Sequence, residues 1–371
     1  MGAGANTPFE IDARELAAAL ANPGAPVLVD VRTASECVTG TLAGARCVPQ
    51  RELAARIGEL VSDPRGSLVL YCASGVRSAA CARELRALGY DGARSLCGGI
   101  VAWQREGFAI EVADDPAFTT SQRERFSRQL RLPEVGVAGQ RRLLEARVLC
   151  IGAGGLGSPA LLYLAAAGVG RIGIVDDDVV QLSNLHRQVV HATARIGMAK
   201  TDSASAHLRA LDPDVVVVPH RLRLDRNNAP ALFADYDVIV DGSDNFTTRY
   251  LVNDVALAVG KPFVSGAILG FEGQVGVFEG APCYRCLFPE PPPAEFAPSC
   301  EEAGVLGVVP GIIGVIQAAE TIKLLLGIGE PLRRRLLVVD VLTMRFTELA
   351  IEADPACACH GRRAAEPQRV V

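Results

Sequence analysis

The sequence has no excess of basic charge. Its 37 Lys and Arg are outnumbered by 42 Asp and Glu, giving a formal net charge of −5 and a pI of about 5.7. Without a basic surplus there is no electrostatic footprint for a phosphate backbone, so no nucleic-acid partner is expected. The start, MGAGANTPFEIDARE, lacks a basic segment followed by an apolar run, so it does not read as a secretory leader. Long uninterrupted apolar runs are missing as well. Residues 148–170 carry no charge but contain six glycines and Pro159, so they break into a short strand, a glycine loop and a helix. Val305–Ile316 contains Pro310 and falls short of the ~18 residues that cross a bilayer. Both read as core, with no membrane span. The eleven cysteines, with no export signal beside them, argue against a disulfide framework and for metal, catalytic or buried roles in a cytoplasmic protein. There is no internal repeat.

What is present is ample apolar material. Hydrophobic residues make up 49% of the 371 positions and charged residues 21%, as in ordinary globular proteins. The length allows two or three domains of about 100–200 residues each. PVLVDVR (26–32) and SLVLYC (67–72) read as parallel strands separated by helical patterns, an α/β domain over residues 7–112. ADDPAFTTS (113–121) has linker composition, and residues 113–120 are assigned as linker. Fully extended, that stretch reaches about 30 Å at ~3.4 Å per residue. From 121 to 361, RVLCIG, RIGIVDDD, VVVVPHRL, DVIVDGSDN and KPFVSGAI read as strands of a doubly wound, mostly parallel sheet. The Pro-rich FPEPPPAEFAPS (288–299) is a candidate crossover or lid loop.

Cys72 directly follows a strand, and a helix begins near Arg77 and Ser78. Backbone N–H groups in such a loop, the helix dipole and the Arg77 charge all stabilise a thiolate or persulfide. A buried, inert strand-end cysteine is the competing reading. Further on, Gly152, Gly154, Gly155 and Gly157 form a glycine turn between strand and helix, open to close approach of phosphate. Asp176, ending the next strand, suits a ribose hydroxyl. That motif alone fits a nicotinamide dehydrogenase equally well. Asn184, Arg187, Gln188 and Lys200 favour phosphate chemistry, where negative charge accumulates on transferring oxygens, and Asp244 is placed to bind Mg²⁺.

CASGVRS (72–78), DVRTASE (30–36) and LCGGIVAWQREGF (96–108) resemble the rhodanese family, with Thr41 where that family often has His. The resemblance implies that Cys72 carries a persulfide and that Arg77 helps hold it. RFSRQLRLPEVGVAGQ, GAGGLGSP, DDDVVQLSNLHRQ, GMAKTDSA, DGSDN, EGQVGVF, CYRCLF and CEEAGVLG, in this order, resemble the ubiquitin-activating-enzyme-like adenylyltransferases of molybdopterin and thiamine biosynthesis. This second resemblance implies a Rossmann-like fold. It makes Gly154 and Asp176 nucleotide contacts, Asn184, Arg187 and Lys200 phosphate ligands, and Asp244 a Mg²⁺ ligand. Arg128 would reach a neighbouring subunit's ATP site in a symmetric homodimer, and Cys300 would be a catalytic cysteine on the crossover loop.

Cys283 and Cys286 have the spacing that places two thiolates on one tetrahedral Zn²⁺. That family completes the site with a second Cys-x-x-Cys near the C-terminus. Here the sequence reads Cys357-Ala-Cys359-His360, making His360 the expected fourth ligand and Cys359 its alternative.

The implied function is ATP-dependent adenylation of a ubiquitin-like sulfur carrier ending in Gly-Gly, then its sulfuration to a thiocarboxylate. Sulfur would come from the Cys72 persulfide, loaded by thiosulfate or a cysteine desulfurase. The better-known fusions of this kind carry the rhodanese domain at the C-terminus, so the order here is reversed. Three rivals stand: an activating enzyme for protein conjugation, an NAD-dependent dehydrogenase, and a non-catalytic scaffold.

Overall fold

The computed structural model describes residues 9–38, 40–61, 63–111, 118–291 and 304–359. Two compact units divide the chain between Gln140 and Arg141.

The first unit holds a five-stranded sheet of β1 (Glu10–Ile11), β2 (Val27–Asp30), β3 (Arg46–Cys47), β4 (Leu68–Tyr71) and β5 (Ala93–Leu96), in spatial order β1-β5-β4-β2-β3 and parallel throughout. Alternating residues of β4 face two different cores. Leu68, Leu70 and Cys72 join Val29, Leu85 and Ala93, whereas Val69 and Tyr71 join Leu16, Leu96 and Trp103. Burial on both faces is why these strands read as continuous apolar runs. Short helices are fixed by their caps. Asp12 accepts from the Glu15 N–H ahead of Ala13–Leu20, and Thr33 and Glu36 form a reciprocal capping box on Ala34–Cys37.

The polar seam is shorter than its composition suggests. Phe118 is buried, and Thr119 with Gln122 caps a helix over Thr120–Phe126. This helix and the 3₁₀ turn Gln129–Arg131 fall within the first compact unit.

The second unit is built on one eight-stranded sheet. Its strands are β6 (Arg147–Ile151), β7 (Arg171–Val175), β8 (Val216–His220), β9 (Val238–Asp241), β10 (Phe263–Leu269), β11 (Glu272–Phe278), β12 (Arg335–Asp340) and β13 (Arg345–Ala350). The order is β13-β12-β11-β10-β9-β6-β7-β8. The stretch from β8 to β10 is parallel and the stretch from β10 to β13 antiparallel. The chain reverses its direction of winding between β6 and β9, so their carboxyl ends flank a crevice.

Val308–Leu326 forms a helix longer than the apolar segment read from sequence, and by length and composition it could cross a membrane. It is a core helix instead. Gln317 Nε2 donates to the Asp241 and Val264 carbonyls at 2.7 and 3.1 Å, and a Cβ on Gly314 would lie 2.3 Å from the Leu156 carbonyl. Pro310 sits in its first turn, where a missing N–H costs no helical bond.

The cysteine expectation needs one correction. Cys37 and Cys47 are disulfide-bonded, with Cα atoms 6.7 Å apart. The pairing joins the C-terminal end of the Ala34–Cys37 helix to β3, a tertiary proximity that spacing does not reveal.

Candidate functional sites

Cys72 leaves β4 at the carboxyl edge of the first sheet and lies at the foot of the helix Val76–Ala87. Gly75, in the left-handed region at φ +92°, turns the chain so that its N–H donates to Cys72 Sγ at 3.1 Å. The Ser78 hydroxyl lies 3.7 Å from the same sulfur. Burial pushes the Cys72 thiol up, but hydrogen bonds from Ser78, Ser74 and Gly75 outweigh it and hold the group below its ordinary value. The loop is thus a cradle for a sulfur anion.

Arg77 is bound by Glu36 through two hydrogen bonds, of 2.8 and 2.6 Å. Arg77 and the Thr33 cap together hold the Glu36 carboxyl down to about 2 against the cost of partial burial. In return the carboxylate, and more weakly Cys72, raises the guanidinium. Arg77 is therefore fixed and charged beside the sulfur. Glu36, which anchors it, was not singled out from sequence, although it lies in the DVRTASE segment.

The second site fills the crevice between β6, β7 and β9. A cavity of about 360 Å³ is lined by Gly152, Gly154, Gly155, Asp176, Arg187, Gln188, Lys200 and Asp244, all singled out from sequence. Arg223, Asn245, Thr248 and Arg249 line it too and were missed; only Asn245 lies inside a quoted motif. Asn184 is buried beneath Gln188, whose N–H it accepts, and is not part of the lining.

Glycine is required where backbones close up. A Cβ on Gly157 would lie 1.9 Å from the Gly152 carbonyl, so no larger residue can start this helix against the turn. The Asp176 carboxylate accepts from the Ala153 and Asp178 N–H groups, while burial raises its proton affinity. Lys200 is buried at the start of its helix and pairs with Asp178 at 2.9 Å. Asp244 is exposed on the cavity rim. Asp241 and Arg249, both buried, lie behind it, with the Arg249 guanidinium donating to the Ser243 carbonyl. Glycine walls with both carboxylates and cations in the lining suit a nucleoside polyphosphate.

The third group is a cysteine cluster in the second unit. Cys283 Sγ is 3.9 Å from Cys286 Sγ and 3.6 Å from Cys357 Sγ, and Cys283, Cys357 and Cys359 sulfurs all lie within 4.8 Å of one another. Four thiolates around one Zn²⁺ at ~2.3 Å would be separated by about 3.8 Å. Three of the thiols, Cys283, Cys357 and Cys359, are thus gathered closely enough to share one metal ion, with Cys286 beside Cys283. Cys359 is among the clustered thiols; His360 and Cys300 lie outside the described residues. Arg128 is exposed in the first unit, just before the 3₁₀ turn.

The profile of the ThiF family matches residues 126–360, and that of the rhodanese-like domain matches residues 12–106. The "Sulfur carrier protein adenylyltransferase" of Thermus thermophilus is 51% identical over 251 residues, which cover 66% of this chain and 93% of the relative. The "Probable adenylyltransferase/sulfurtransferase MoeZ" of Mycobacterium tuberculosis is 54% identical over 250 residues, covering 65% of this chain and 64% of that protein. The "SAMP-activating enzyme E1" of Haloferax volcanii is 51% identical, over 65% of this chain and 90% of its own length. Among solved structures, Escherichia coli MccB with MccA-N7isoASN aligns at a TM-score of 0.56 and 20% identity, covering 66% of this chain and 75% of MccB. That last likeness is one of fold.

Proposed function

The chain belongs to the ThiF family and carries a rhodanese-like domain ahead of the matched region, and from this premise we propose that it adenylates a sulfur-carrier protein and delivers sulfur to it. The single observation that carries the reading is the pairing, in one chain, of a glycine-walled, charge-lined cavity with a cysteine cradled by N–H donors in a separate unit.

In this reading the carrier's C-terminal carboxylate attacks the α-phosphate of ATP, and pyrophosphate leaves. The glycine turn takes the phosphates, Asp176 the ribose, and Arg187 and Lys200 the charge on the transferring group. Asp244 would hold Mg²⁺, which shields the phosphate oxygens when bound. The Cys72 persulfide then displaces AMP, directly or through Cys300, giving a carrier–Cys72 acyl disulfide. A thiol cleaves it to release thiocarboxylate. The test is ATP–pyrophosphate exchange: it should depend on a carrier ending in Gly-Gly, and exchange that ignores the carrier would sink the reading. Adenylation would equally serve a protein-conjugating activator, as the name of the Haloferax relative allows. The cradle around Cys72 favours sulfur delivery, since a conjugating activator has no use for it.

Two further parts belong to this proposal. Arg128 acts in the ATP site of the partner in a homodimer. Mixed Arg128→Ala and Asp244→Ala subunits, each inactive alone, should then recover exchange, because one hybrid site has both residues intact. No recovery despite subunit exchange would remove the assignment. The cysteine cluster holds one structural Zn²⁺ through Cys283, Cys286, Cys357 and Cys359, with Cys359 taking the position first expected of His360. Metal binding to such a set is folding free energy. Chelation should lower the Tm, and Cys359→Ser should lose zinc by elemental analysis while His360→Ala keeps it. The opposite pattern would restore His360.

A further inference from the structure

The proposed route leaves one reagent unnamed, the thiol that cleaves the acyl disulfide on Cys72. We infer that this thiol is Cys97, acting as the resolving nucleophile of the sulfur-transfer step; the inference rests on the sulfur-carrier reading above.

β4 and β5 are neighbours and parallel, with Leu70 opposite Ser95. The ladder ends there, and Cys72 and Cys97 each follow two residues beyond it, at the same edge of the sheet. The extended conformation of β5 continues that far, because Ser95 N–H donates to Phe9 and Cys97 N–H to Ile11 in an unbroken two-residue rhythm. Side chains alternate along a strand, so residues two apart share a face. Leu70, Cys72 and Ala93 belong to one core cluster, and the Ser95 hydroxyl contacts that of Ser78, which lies against Cys72. Cys97 follows Ser95 by two along this extended stretch and so shares the face of Ser95, the face of the Ser78–Cys72 contact.

The two loops are also tied together. Ile100 N–H donates to the Cys72 carbonyl at 2.9 Å, and Val101 N–H to the Ala73 carbonyl at 3.2 Å. A Cβ on Gly75 would stand 2.9 Å from the Gly98 nitrogen and 3.3 Å from the Leu96 carbonyl, the atoms on either side of Cys97.

No other described thiol of this unit is free to act. Cys37 and Cys47 are bonded to each other. Cys81 is buried, and burial pushes its thiol up to about 11. Cys97 is the one exposed free cysteine among the described residues.

The step balances. The Cys97 thiolate attacks Cys72 Sγ in the acyl disulfide. A Cys97–Cys72 S–S bond forms, the bond from Cys72 Sγ to the transferred sulfur breaks, and its electron pair leaves with the carrier as thiocarboxylate. A dithiol reductant then returns the Cys72–Cys97 disulfide to two thiols. Timing follows from the leaving group. A thiocarboxylate is a weak base and leaves readily, whereas attack on the persulfide itself would have to expel sulfide from an anionic electrophile.

The experiment is a single turnover without added thiol, using full-length protein loaded from thiosulfate and desalted, then ATP and a purified ubiquitin-like carrier ending in Gly-Gly. Wild type should release about one thiocarboxylate per loaded site and yield a Cys72–Cys97 disulfide in a non-reducing peptide map. Cys97→Ser should exchange pyrophosphate at the wild-type rate, accumulate carrier bound to Cys72, and release at least tenfold less thiocarboxylate until dithiothreitol is added. Release equal to wild type by a Cys97→Ser protein that exchanges normally would overturn the inference alone. Absence of carrier-dependent exchange in wild type would overturn the functional reading, and the resolving role with it.

Discussion

Asp244→Ala should lower carrier-dependent ATP–pyrophosphate exchange by on the order of 100-fold or more, the scale at which single groups that stabilise transition-state charge register. Thiosulfate sulfurtransferase activity should stay at the wild-type level. The warrant for the first half is position. Asp244 follows β9 at the crevice rim, on the same cavity as Arg187, Lys200 and the glycine turn. The second half follows from the division of the chain. Cys72, Gly75, Ser78, Arg77 and Glu36 all lie in the unit that ends at Gln140, and Asp244 lies in the other. Asp244 is exposed, and among the described residues its carboxylate accepts only from the neighbouring Asn245 amide, at 3.4 Å, so truncation should leave the Tm near wild type. A folded Asp244→Ala protein that exchanges normally would take the residue out of the site. Loss of both activities would contradict the assignment of the two chemistries to separate units.

The parts of the fold legible in the sequence were those set by short-range pattern. Runs such as RVLCI and RIGIV had to be strands, because they are apolar on both faces and bounded by glycine or acidic residues. The cavity beside β6 and β9 was legible for the same reason: its lining residues follow strand ends, and strand ends of a parallel sheet converge on one edge. What was not legible depends on tertiary proximity. Cys37 and Cys47 are ten residues apart in sequence and nothing local pairs them. Arg249 belongs to no motif, yet its helix, capped by Asn245, turns it into the crevice wall. Phe118 sat inside an apparent linker because one buried aromatic does not alter the composition of a polar stretch. The Cys97 face could be assigned only once the β4–β5 register was known.

Cys72→Ser should abolish thiocarboxylate formation from thiosulfate, a loss on the order of 1,000-fold or more as for removal of a covalent nucleophile, while pyrophosphate exchange stays normal. Chemistry sets the order of events. Sulfur cannot displace a carboxylate oxygen until adenylation makes that oxygen a leaving group, and the arriving nucleophile must already carry the sulfur. The Cys72 loop is built for that load. Its N–H groups converge on one sulfur, Arg77 stands beside it, and Glu36 keeps Arg77 from swinging away. A serine hydroxyl fits the same cradle but neither ionises near neutral pH nor accepts a sulfane sulfur, so the fold should persist while the chemistry stops. Mass spectrometry of the carrier after incubation with ATP, thiosulfate and a reductant decides the matter. Wild type should yield carrier with one oxygen replaced by sulfur, and Cys72→Ser none. If Cys72→Ser makes thiocarboxylate as fast as wild type, the first unit is not the sulfur donor. If Cys300→Ala is as active as wild type in the same assay, sulfur passes from Cys72 to the acyl-adenylate without a relay.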